Sequence, residues 1–116
     1  MQKFNEIVSN KEVPVIMVDQ DGLIQDINDA FEAAYGWSRE TLKGKMLTTI
    51  IPESLRNAHH LGFSRFLTTE RASILEQSLD LNIVTREGIE KPARHLITAS
   101  KENGKWAFAA SIHDIS

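Results

Sequence analysis

The chain has 116 residues, 41% apolar and 25% charged, with a net charge of −3 and no cysteine. That length suits one domain with a single core, and the missing thiol excludes disulfides, thiolate nucleophiles and Cys-ligated zinc or iron–sulfur sites while agreeing with a cytoplasmic location. No Lys/Arg-rich run stands ready to neutralise phosphates, no apolar run approaches the roughly 20 residues of a membrane helix and no signal peptide opens the chain, so neither a nucleic-acid partner nor direct membrane contact is expected.

Residues 1–10 carry Phe4, Ile7 and Val8 at helical spacing, which predicts a short amphipathic helix with one apolar face. Val13–Val18 is a compact β-branched run closed by Asp21-Gly22, a tight-turn pair, and Leu23–Ile27 follows with weak alternation. Residues 13–27 therefore read as a β-hairpin. Asn28 or Asp29 caps a helix containing Ala30, Phe31, Ala33, Ala34 and Tyr35, which Gly36 stops. Ser38 caps a second short helical turn halted by Gly44, and Lys45–Ile51 reads as a further turn.

Pro52–Thr69 has the period of a longer helix, with Leu55, Ala58, His59, Gly62, Phe63 and Phe66 on one face. A histidine within such an apolar stripe is either hydrogen-bonded scaffolding or a ligand for something held inside. Leu79, Leu81 and Ile83 then alternate with polar neighbours in a strand that turns at Glu87-Gly88. Strands are expected again at about Lys91–Ser100 and Trp106–Ile112, joined at Asn103-Gly104. The order predicts an α+β fold with one antiparallel sheet covered by helices.

The residues that punctuate this order resemble a PAS domain. The matching stretches are Pro14–Asp19, Asp21-Gly22 with Ile24, Asn28 with Ala30-Phe31, Tyr35–Ser38, Glu40–Gly44, Ile51-Pro52, Arg86–Gly88, Pro92 and the closing His113–Ser116. The resemblance implies a five-stranded antiparallel sheet in the order 2-1-5-4-3, with helices packed on one face and a pocket between them. It divides the chain into an N-terminal flanking helix with dimer contacts (1–12) and a single sensor domain (13–116). Phe4, Ile7 and Val8 are the candidate dimer contacts. The family implies a regulatory role without chemistry of its own, as part of a homodimeric signalling protein whose linked effector is a histidine kinase, cyclase or chemoreceptor. Glu40 and Arg86 are expected to form an ion pair between the helical region and the strand turn.

Within the family, the chain is most similar to the haem-binding oxygen sensors. Residue by residue, Ile51–His59 resembles the start of their long helix, which puts His59 at the axial-ligand position for haem b iron and Arg65 where a basic residue meets a propionate. Phe63, Leu79 and Ile97 fall among the pocket-lining positions. Leu79 stands where those sensors keep a distal arginine, and its side chain cannot hydrogen-bond bound oxygen. Counting from Pro92, the inward positions of the next strand are Ala93, His95, Ile97 and Ala99. His95 is thus a candidate distal ligand opposite His59, or a group that stabilises a bound gas, which suits redox or CO/NO sensing. The alternatives are a core with no cofactor, serving as an interaction or dimerisation module, and a pocket for another small organic molecule. His60 and His113 are expected to be partly exposed and without function. No His-Glu-x-x-His spacing and no Gly-x-Ser-x-Gly elbow points to an enzyme.

Overall fold

The computed structural model of the protein describes residues 4–57 and 78–115. Its elements are α1 (Phe4–Val8), β1 (Val15–Asp19), β2 (Ile24–Ile27), α2 (Asp29–Tyr35) and α3 (Arg39–Leu42). Two 3-10 turns follow at Leu47–Ile50 and Glu53–Leu55, then β3 (Ser78–Val84), β4 (Glu90–Glu102) and β5 (Lys105–Asp114). The strands form one antiparallel sheet in the order β2-β1-β5-β4-β3, as expected.

Each local element has a visible cause. The first hairpin closes on Asp19, whose carboxylate accepts from the amides of Asp21 (2.9 Å) and Leu23 (3.0 Å), while Gly22 takes a φ of 83°. Asn28 caps α2 through the amide of Phe31, and Gly36 ends that helix in the left-handed region. Ser38 caps α3 through the amide of Thr41. Asn103 and Gly104 both have positive φ, 52° and 77°, the geometry that matches the twist of a two-residue hairpin. For that reason the β4–β5 ladder runs all the way to Glu102 opposite Lys105, and both strands are longer than their hydrophobic pattern alone predicts.

The sheet has two covered faces. Ile16, Val18, Ile24, Ile27, Ile83, Ala93, Phe108 and Ile112 form the inner core with Phe31 and Tyr35 of α2, Leu42 of α3 and Ile50. Trp106 and Ala110 pack against this cluster, so Trp106 and Phe108 belong to the core. On the outer face Ile7 of α1 is buried with Val15 and Ala109, flanked by Phe4, Val8, Val13, Met17 and Leu96. The apolar face read in residues 1–10 thus packs on the outer side of its own sheet.

Two sequence expectations change here. Glu40 and Arg86 do not pair; the ion pairs among the described residues are Arg39 with Asp26 (2.7 Å) and Asp29 (3.5 Å), and Arg94 with Asp80 (2.8 Å). Arg86 instead contributes its backbone amide to the Tyr35 carbonyl (3.1 Å). The segment expected as one helix from Pro52 begins with a 3-10 turn at Glu53–Leu55, and helical geometry continues at Arg56 and Asn57. The remainder of that segment, with His59, His60, Phe63, Arg65 and Phe66, lies outside the described residues.

Candidate functional site

The inner sheet face is built by register. Leu79 pairs with His95, which pairs with Ile112; Leu81 pairs with Ala93, and Ile97 pairs with Ala110. Side chains directly opposite one another in antiparallel strands point to the same face. Ala93, Ile83 and Ile112 belong to the inner core, so Leu79, His95 and Ile97 share that face. Ala93, Ile83 and Ile112 are buried, Leu79 and Ile97 are half-buried, and Leu81 is exposed.

His95 is the polar centre of this surface. It is only 6% exposed, and its Nε2 lies 3.1 Å from the carbonyl oxygen of Leu81. A carbonyl only accepts, so Nε2 carries the proton and Nδ1 is the acceptor nitrogen of the neutral ring. Burial lowers the pKa of His95, and this outweighs the opposing effects of the Leu81 carbonyl and the Asp80 carboxylate. The imidazole is therefore held uncharged. His113, by contrast, is exposed and pairs with Arg94 on the opposite face.

Tyr35 is a second polar group on the inner face, and its sequence context shows only a helix residue four positions after Phe31. It is 1% exposed, and its ring lies tilted against Phe31 with centroids 5.1 Å apart. Its hydroxyl is buried and has no hydrogen-bond partner among the described residues. An unpaired hydroxyl in such a place costs about 1–3 kcal/mol, and a phenylalanine would avoid that cost. Burial, with a smaller effect of the Asp114 carboxylate, pushes the phenol up to about 12. It remains a neutral donor across the physiological range.

Asn28 holds the site's frame. Its Oδ1 accepts from the amides of Val15 (2.9 Å) and Phe31 (3.0 Å), and its Nδ2 donates to the carbonyls of Asn10 (3.0 Å) and Val13 (2.7 Å). One amide thus ties α2, on the inner face, to β1 and to the connector from α1. At the other end of α2, the Trp37 indole donates to the Val84 carbonyl (3.0 Å) and fixes the helix against β3. Arg39 wraps the free edge of β2, giving Nε to Asp26 and both Nε and a terminal nitrogen to the Ile27 carbonyl.

The chain belongs to the PAS fold family, whose sequence pattern matches residues 2–115. An uncharacterised protein of Azorhizobium caulinodans is 33% identical over 103 residues, which cover 88% of this chain and 14% of that protein. Sensor protein FixL of Bradyrhizobium diazoefficiens is 26% identical over 102 residues, covering 88% of this chain and 20% of FixL. The PAS domain of the RpfR quorum-sensing receptor of Cronobacter turicensis, in complex with C12:0, superposes with a TM-score of 0.70 at 19% identity, over 95% of this chain and 100% of that one. The chain spans about a fifth or less of the two curated relatives. PAS domains are regulatory sensor modules of signalling proteins. No helix among the described residues is long and apolar enough to cross a membrane.

The residues of the inner face fit a flat, largely apolar group such as haem b in two respects. Leu79, Ile97, Ala99 and Ala110 are apolar side chains that are only half-buried, and His95 presents an uncharged imidazole beside them.

Proposed function

We propose that this domain is the sensory module of a larger cytoplasmic signalling protein and that its inner face binds haem b for redox or diatomic-gas sensing. The observation that supports this most is His95, a buried and neutral imidazole on an otherwise apolar face. The likeness to FixL over 88% of the chain supports the same reading. In it, His59 would hold the iron, Arg65 would pair with a propionate, and Phe63, Leu79 and Ile97 would be apolar contacts of the group. When bound, haem would supply an iron centre that responds to oxidation state or to a diatomic gas.

His95 would be the second candidate ligand of the iron, or a group beside a bound gas. Coordination through Nε2 would require its bond to the Leu81 carbonyl to break, whereas a hydrogen-bonding role beside a bound gas would leave that bond in place. Leu79 adds bulk without a donor, which favours CO, NO or redox change over stable oxygen binding. A shift in how β3 and β4 pack would pass along the sheet to a dimer interface formed with α1, and so to a linked kinase, cyclase or chemoreceptor.

Titration of the purified protein with haemin tests the reading. A stable Soret band that changes in His59→Ala is expected; no stable band, or the same spectrum in the variant, sinks it. The second reading is a cofactor-free interaction module that dimerises. Phe4 and Val8 support it, because they stay half-buried beside the buried Ile7 and leave apolar surface on α1 for a second copy. Small-molecule binding by RpfR, which was solved with C12:0, keeps a third occupant in view, a small organic ligand.

A further inference from the structure

The chain contains a single tyrosine, and it is placed where its hydroxyl has nothing among the described residues to bond. The side chain is not free to turn away. Gly36 closes α2 in the left-handed region and the Arg86 amide holds the Tyr35 carbonyl, so the last turn of the helix is clamped to the start of the β3–β4 connection. The ring is packed on Phe31 within the cluster that contains Ala93 and Ile112. These two core residues also flank His95, one along β4 and one across on β5. A buried donor therefore packs in the cluster whose members Ala93 and Ile112 neighbour His95.

We infer that the Tyr35 hydroxyl is a specificity-determining hydrogen-bond donor of the inner-face site, reading an uncharged oxygen acceptor on a small, mostly apolar ligand. The chemistry of the surroundings selects that class. Ile83, Ala93, Phe31 and Ile112 share the buried core cluster of Tyr35, apolar surroundings that favour a hydrocarbon body. A carboxylate is disfavoured twice, by desolvation in those surroundings and by the negative field of Asp114, which already opposes ionisation of the phenol. A ketone, amide or ether oxygen accepts the bond without bringing a second negative charge. This inference rests on the inner face being a ligand site and is independent of haem as the occupant.

The single tyrosine makes the test direct. The chain is prepared with 13Cζ-labelled tyrosine, so that Tyr35 gives the one signal, and is titrated with acetophenone. Two controls accompany it: α-methylstyrene, which replaces the oxygen by CH2 at nearly constant shape, and benzoate, which carries the charge. A saturable shift of the Cζ signal with acetophenone, not reproduced by α-methylstyrene or benzoate, is the expected result. In Tyr35→Phe the affinity for acetophenone falls by about tenfold or more while that for α-methylstyrene holds, because a site built around a hydrogen bond discriminates through it. No binding of acetophenone, a Cζ signal unmoved at saturation, or undiminished acetophenone affinity in Tyr35→Phe overturns the inference. The Cζ measurement uses the unaltered chain and stands even where the variant fails to fold. A negative haemin titration beside a positive Cζ shift defeats only the haem reading, and the reverse pattern defeats only this one.

Discussion

His95 is the residue whose protonation the fold controls most clearly. Burial keeps its folded-state pKa below the ordinary 6.5, so the unfolded chain takes up a proton more readily than the folded one. The stability tied to this site is complete above about pH 6.5 and declines as the pH falls below that value towards the folded pKa. Urea denaturation at pH 7.5, 6.5 and 5.5 is expected to show that decline, and His95→Leu to flatten it. An equally steep acid slope in the variant would assign the loss to other groups. Tyr35 makes the complementary point at the same scale. Its hydroxyl has no hydrogen-bond partner among the described residues, so Tyr35→Phe is expected to melt at the same temperature as the parent or higher, and a drop of several degrees would reveal a partner that the hydroxyl already has.

At the scale of elements, α1 and α2 are joined through Asn28. Asn28→Ala removes an N-cap and three further hydrogen bonds, and a loss of about 2–4 kcal/mol is expected in denaturant unfolding. Asn28→Asp keeps the acceptor that caps α2 and loses the two donors to Asn10 and Val13. Hydrogen exchange should then quicken over residues 4–13 and stay slow in α2; equal loosening of both would show that the amide does not separate these roles. Deletion of residues 1–10 removes Ile7 from the outer face, a side chain whose burial contributes about 1.5–3 kcal/mol. On the interaction-module reading the deletion also abolishes concentration-dependent association in sedimentation, whereas association that persists places the dimer contact elsewhere.

Much of the architecture was legible because its signals are local. Asp21-Gly22, Asn28, Gly36, Ser38 and Asn103-Gly104 each act within a few residues, and all of them perform the turn or cap that their chemistry suggests. The inward phase of Ala93, His95, Ile97 and Ala99 followed from strand alternation. What the sequence hid is non-local. Arg39 pairs with Asp26 and Asp29, ten or more residues back, and Arg86 uses its backbone where its charge had suggested Glu40. The second and third bonds of Asn28 reach 18 and 15 residues back. That the Tyr35 hydroxyl finds no partner among the described residues depends on what surrounds it in three dimensions, which no spacing encodes. At the candidate site, His59, Arg65 and Phe63 lie outside the described residues, while strand register brings Leu79, His95 and Ile97 to one face of the sheet.

At the scale of the whole chain, which belongs to the PAS fold family, the proposed role of the inner face is to hold haem b with His59. Haemin titration of the complete chain, followed by absorption in the oxidised and reduced states and repeated on His59→Ala, tests that claim most directly. A stable stoichiometric Soret band that shifts on reduction and is displaced or lost in His59→Ala is the expected result. A chain that leaves haemin in its free spectrum, or a variant whose spectrum matches the parent's, would contradict it.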